Sequence, residues 1–277
     1  MNKLLPYLQL IRLANVVMTG LAVFLGIWLS MNLHFPGTAL LMIAAMSATG
    51  FGNVINDIHD ISSDCINHPH RPLPRGLITK SAASIYALIL VVIALVSALL
   101  VSSFHSGATL VPLLILSLYA FYLKKTPLAG NFLVATLVAY ALLFGTLPDS
   151  GWEKLLIPAL LAFLLNFSRE IVKDVQDFKG DKAAGHKTSA VLSLNTLKKI
   201  LVITSALYLT LLFVPFALGD FGLIYVIVCS LFVLPLHGTW FLNLFGNKLT
   251  RRAAKTSKLL KFEMLAGLSA LALDKLF

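Results

Sequence analysis

GTALLMIAAMSATGFGNVINDIHDISSD, residues 37 to 64, passes from an apolar stretch straight into three aspartates. Residues 37 to 56 hold no charged side chain, and about 20 such residues are what a helix needs to cross the hydrocarbon core of a bilayer. Asp57, Asp60 and Asp64 then fall at i, i+3 and i+7. On a 3.6-residue helix that spacing lines them up along one stripe, which Asn53 extends one turn backward. The segment therefore predicts a membrane-spanning helix whose end carries a row of carboxylates.

The rest of the chain agrees with a membrane fold. Hydrophobic residues make up 58% and charged residues 12%, against roughly 25% charged in an ordinary soluble domain. Nine apolar runs of spanning length can be read: 13 to 33, 37 to 56, 82 to 103, 106 to 123, 129 to 147, 154 to 173, 198 to 218, 222 to 242 and 258 to 274. The expectation is an all-α polytopic protein, about nine transmembrane helices in one integral-membrane domain over residues 1 to 277, with no soluble domain left over. The first run lacks an Ala-x-Ala-like exit and reads as a retained span, not a cleaved signal peptide. Cys65 and Cys229 offer no disulfide framework.

A net charge of +10 would suggest nucleic acid in a soluble chain, but its placement makes it a topology signal. Assigned to alternate sides of the nine spans, the 22 Lys and Arg separate so that only Lys154 and Lys275 fall apart from the other twenty. By the positive-inside rule the N-terminus and the acidic helix end face the cytoplasm of a multi-pass cell-membrane protein.

Seven of the twelve Asp and Glu lie in two short segments. The second holds Glu170, Asp174, Asp177 and Asp181, and its three aspartates repeat the i, i+3, i+7 spacing of the first. A carboxylate at the bilayer centre costs roughly 2.5 to 3.5 kcal/mol on insertion scales, and stacked like charges repel. Acids at solvated helix ends would need no explanation if there were one cluster. Two clusters of identical spacing on one side point instead to a hard divalent cation such as Mg²⁺, which takes one or two carboxylates together with phosphate oxygens and water.

Complementary charge flanks both clusters. Asn67-His68-Pro69-His70-Arg71-Pro72-Leu73-Pro74-Arg75-Gly76 is a Pro-punctuated loop that cannot continue a helix. Arg169 and Lys173 adjoin the second cluster, and Lys124 ends a neighbouring span. Arginine suits bidentate phosphate contact and lysine acts as a point charge. Arg71, Lys124, Arg169 and Lys173 are therefore the candidate phosphate ligands. Lys198, Lys199, Lys255, Lys258 and Lys261 are read as topology signals only.

Asn56-Asp57-Ile58-His59-Asp60-Ile61-Ser62-Ser63-Asp64 resembles the NDxxDxxxD signature of the UbiA superfamily of intramembrane prenyltransferases, and Asp174-Val175-Gln176-Asp177-Phe178-Lys179-Gly180-Asp181 resembles its second DxxDxxxD motif. The resemblance implies a helical bundle around a central cavity that opens toward the membrane. It implies Mg²⁺ as cofactor, a prenyl diphosphate and a lipid-like acceptor as substrates, and no nucleic acid or protein partner. Asp57, Asp60 and Asp64 are expected to hold one ion and Asp174, Asp177 and Asp181 another, with Asp57, Asp60, Asp174 and Asp177 central to catalysis and Asn53 and Asn56 in support. Gly52 to Asp57 and Arg169 to Asp174 resemble the branch that adds the second prenyl ether of archaeal-type lipids to geranylgeranylglyceryl phosphate. The chain departs from that family's spacing of four, since Tyr119 precedes Lys124 by five residues and Lys125 by six, which leaves both lysines as candidates for that position. A prenyl cation needs a dry wall, and 18 Phe and 7 Tyr could supply it. The alternatives are an aromatic acceptor, as in quinone, haem or chlorophyll synthesis, and a transporter, in which coupling acids sit nearer the midplane.

Overall fold

The computed structural model describes residues 4–30, 34–121, 126–148, 150–246 and 248–277, and among them there is no β-strand. In chain order the helices are α1 (Leu5–Leu10), α2 (Leu13–Leu29), α3 (Phe35–His59), α4 (Ile61–Asn67), α5 (Lys80–Leu99), α6 (Ser103–Phe121), α7 (Ala129–Phe144), α8 (Leu156–Ala183), α9 (Leu194–Leu211), α10 (Val214–Ala217), α11 (Leu223–Val228), α12 (Leu234–Phe241) and α13 (Lys248–Leu276). Six described helical rods are long and apolar enough to cross a membrane, and α2 and α7 are apolar but shorter. The expected ninth span lies inside α13, whose first half carries Lys248, Arg251, Arg252, Lys255, Lys258 and Lys261.

Local chemistry sets the helix boundaries. The break between the spans read as 82 to 103 and 106 to 123 falls earlier, at 100 to 102, because the Ser102 hydroxyl accepts the His105 amide and starts α6 at Ser103. Thr79 and Ser193 cap α5 and α9 in the same way. Between α11 and α12 the chain makes a π-helical turn, Cys229–Val233, in which the Leu234 amide reaches Cys229 O. Pro235 follows at once, and a proline has no N–H to offer the carbonyl one turn back, so the ladder shifts register there.

Two packed halves meet around a cavity. In one, α3 packs on α2, α5 and α6; in the other, α8 packs on α7, α9 and α13. The halves touch closely at Gly26, where a Cβ would lie 2.0 Å from Leu142 O. Small residues at such crossings let helix backbones approach where lipid provides no hydrophobic drive between helices. Outward, Ile85, Leu88, Val92, Val96 and Leu99 form an exposed apolar stripe along α5, as expected of a lipid-facing surface.

One buried polar network ties the second half together. Glu263 on α13, fully buried, accepts from Trp240 Nε1 at 2.6 Å and shares a 2.8 Å hydrogen bond with His237 Nδ1; His237 Nε2 bonds Ser205 Oγ at 2.6 Å. Removing one partner from such a group strands the others in an apolar interior. Glu263→Ala is therefore expected to cost about 3 kcal/mol or more, read as a lower unfolding temperature in detergent; an unchanged melting curve would show that the network is not structural.

Candidate active site

The two acid-bearing helix ends lie side by side. Asn67, at the end of α4, donates to Asp177 O at 2.6 Å and accepts the Gly180 amide at 2.9 Å, while His68 Nε2 meets Asp177 Oδ1 at 3.0 Å. Only glycine allows this approach: a Cβ at Gly180 would lie 2.4 Å from Asn67 Nδ2 and 2.5 Å from Ser63 O. Loop residues that read as mere punctuation thus bridge the two motifs.

The first cluster does not lie on one continuous helix as its spacing suggests. Helix α3 ends at His59, Asp60 takes φ −92° and ψ 5°, and α4 restarts at Ile61. Asn56 Nδ2 donates to Asp60 Oδ2 at 2.8 Å and Ser63 Oγ donates to Asp60 O at 3.1 Å, so local side chains support the break. The second cluster stays within α8, which runs unbroken to Ala183.

Each carboxylate has partners. Asp57, Asp60 and Asp64 are all buried. Asp57 pairs with Arg12 and, at 3.4 Å, with Arg71, which also holds Asp64 at 2.6 Å. Burial raises the Asp64 carboxyl above its ordinary value, against the lowering pull of Arg71. Asp174 Oδ2 accepts from Asn131 at 2.9 Å and from the Ser189 amide and hydroxyl at 3.0 and 2.6 Å. Asp181 lies 3.9 Å from His186, and Glu170 pairs with Arg169 at 3.0 Å and Lys173 at 2.7 Å. Among the described residues, no three Asp, Glu, His or Cys side chains converge as a ready-made metal cage. The donor set still suits Mg²⁺, whose usual protein share is one or two carboxylates, the rest being phosphate oxygens and water.

Behind the acids a cavity of about 270 Å³ runs into the bundle. Its polar mouth is formed by Arg12, Asn53, Asn56, Arg169, Glu170, Lys173 and Lys261, and its depth by apolar residues such as Leu137, Leu165, Leu212 and Leu271. Asn53, at this mouth, donates from Nδ2 to Ile11 O at 2.8 Å and holds the α1–α2 bend. The aromatic lining is tyrosine. Tyr119, Tyr208 and Tyr225 face the cavity, and no phenylalanine among the described residues does, because many Phe side chains, Phe35, Phe104, Phe132 and Phe232 among them, are exposed on the outer face. Lys124 lies outside the described residues.

Arg12 was legible only as a topology charge, yet it reaches Asp57. It sits between α1 and α2 at φ 55°, ψ 64°, a left-handed conformation that costs a non-glycine residue of order 1 kcal/mol or more. The hydrogen-bonded pairing with Asp57 offsets that strain.

Residues 17–263 match the UbiA prenyltransferase family. The chain belongs to that family. It is 33% identical over 277 residues to the digeranylgeranylglyceryl phosphate synthase of Saccharolobus solfataricus, covering 98% of this chain and 96% of that one. The protein of the same name from Methanobrevibacter smithii is 35% identical over 282 residues, with 97% of each chain covered. A solved structure from work on digeranylgeranylglyceryl phosphate synthase in membranes superposes with a TM-score of 0.77 at 30% identity, covering 99% of both chains. A UbiA homolog from Archaeoglobus fulgidus bound to GPP and Mg²⁺ superposes at 0.64 and 21% identity, covering 96% of this chain and 99% of that one, a likeness of fold. The protein is a multi-pass membrane prenyltransferase.

Proposed function

We propose that the protein transfers a geranylgeranyl group from its diphosphate to the free hydroxyl of geranylgeranylglyceryl phosphate, forming the second ether of an archaeal-type lipid. The observation that carries this reading is the meeting of the two acidic helix ends at the cationic mouth of an apolar cavity. Such a mouth suits a diphosphate headgroup and such a depth suits its chain.

Asp57, Asp60 and Asp64 on one end and Asp174, Asp177 and Asp181 on the other would hold Mg²⁺. The bound ions would neutralise charge on the diphosphate as its bond to the allylic carbon breaks. Arg71 pairs with Asp64, and Arg169 and Lys173 pair with Glu170 one turn before Asp174; these three bases hold phosphate oxygens, with Lys124 as a further candidate from the sequence. Asn56 orients Asp60, and Asn53 fixes the bend that presents Arg12. The Leu and Tyr walls keep water from intercepting a developing allylic cation. The Lys and Arg distribution supports a nine-span arrangement with the site and the N-terminus on the cytoplasmic side.

The test is product mass. Protein in lipid nanodiscs, given geranylgeranyl diphosphate, Mg²⁺ and a panel of acceptors, is expected to prenylate geranylgeranylglyceryl phosphate. EDTA should reduce turnover to background and excess Mg²⁺ restore it. Product only from aromatic acceptors would overturn the assignment, and EDTA-resistant turnover would overturn the metal reading.

A further inference from the structure

The ionisable side chains that line the cavity do not balance. Arg12, Arg169, Lys173 and Lys261 face it, and Glu170 is the one carboxylate among the described lining residues. Glu170 is shared by Arg169 and Lys173, and Arg12 is held from behind by Asp57. Lys261 stands apart. Its ammonium donates to Asn15 Oδ1 at 2.7 Å, a neutral partner, and among the described residues it has no carboxylate within ion-pair distance.

Its position is equally distinct. Lys261 begins the stripe of α13 that lines the cavity, followed by Met264, Leu268 and Leu271, while Glu263 points away into the His237 and Trp240 network. The acids and the arginine of the diphosphate end come from α3, α4, α8 and the loop at Arg71; Lys261 comes from α13 and meets α2 through Asn15. At the polar mouth, with a neutral partner and, among the described residues, no carboxylate beside it, Lys261 leaves its counter-charge to the substrate.

We propose that Lys261 binds the phosphate of the acceptor and is the residue that selects a phosphorylated acceptor over an uncharged one. The inference rests on the acceptor reading above. Asn15 is its positioning residue, holding the ammonium against the cavity wall. The diphosphate stays with the aspartate clusters and their arginines, so the two anionic headgroups occupy different parts of one mouth.

Steady-state kinetics in nanodiscs separate the two ideas. Wild-type protein is assayed with geranylgeranyl diphosphate and either geranylgeranylglyceryl phosphate or unphosphorylated geranylgeranylglycerol; no turnover of the phosphorylated acceptor would overturn the proposed function and this inference together. Given that turnover, Lys261→Met is expected to raise KM for the phosphorylated acceptor at least about tenfold, the scale of one charge-assisted hydrogen bond. KM for the diphosphate and for geranylgeranylglycerol should stay within about twofold, and Lys261→Arg should restore the phosphorylated acceptor to within about threefold. Asn15→Asp keeps Lys261 but places a carboxylate against it, and the same selective rise in KM is expected even if Lys261→Met folds poorly. Equal rises for both prenyl substrates, or no change in either variant, would overturn the role of Lys261 while leaving the proposed function standing.

Discussion

Asp57→Asn and Asp174→Asn, made singly, are each expected to lower prenyl-transfer turnover by at least about a hundredfold while the protein still inserts and folds. The substitution keeps shape and removes one negative charge. At Asp174 all three observed donors, Asn131 and the Ser189 amide and hydroxyl, reach Oδ2, so the amide oxygen of asparagine can keep them. Local structure should therefore persist while affinity for a hard cation falls. At Asp57 the loss also leaves Arg12 and Arg71 without one of their counter-charges, so a modest drop in thermal stability should accompany the kinetic one. The measurement is turnover as a function of Mg²⁺ concentration, with the melting temperature as a folding control. Wild-type rates in both variants would remove the two motifs from the chemistry.

Gly180→Ala is expected to be nearly as damaging, although position 180 carries no reactive group. The added Cβ would lie 2.5 Å from Ser63 O, a backbone atom that cannot swing aside, and 2.4 Å from Asn67 Nδ2. The relief available is to push the α4 end away from α8, which lengthens the Asn67 and His68 bridges to Asp177 and Gly180. A displacement of about 1 Å between groups that must act on one substrate costs up to roughly a hundredfold. Gly238→Ala is the matched control, since it lies on α12 with open space where the methyl would go; it should be neutral. If both alanine variants turn over equally, the juxtaposition of the two helix ends is not what catalysis depends on.

Much of this molecule was legible along the chain. Spans of about 20 mostly apolar residues can be read because the bilayer sets a length, and the two aspartate triplets can be read because helical periodicity maps spacing onto a face. Those patterns were enough to place Asp57, Asp60, Asp64, Asp174, Asp177 and Asp181 as candidates and to expect a helical membrane protein. They were not enough to see that α3 breaks at Asp60, because a change of backbone direction supported by Asn56 and Ser63 leaves the spacing of the acids unaltered.

What only the tertiary structure decided is which distant residues share a site. Arg12 on Asp57, His68 on Asp177, Ser189 on Asp174 and Lys261 beside Asn15 join positions 15 to 246 residues apart. A positive-inside pattern places Lys and Arg at helix ends whether or not they face the cavity, so charge count alone could not separate Lys261 from Lys255 and Lys258. Which phenylalanines would line the cavity was equally hidden, and the answer is none of those described, since an aromatic ring packs as favourably against lipid as against an interior wall. Length and period act along one chain segment and leave their mark in sequence; helix rotation and crossing are settled by packing between segments, and there the site is assembled.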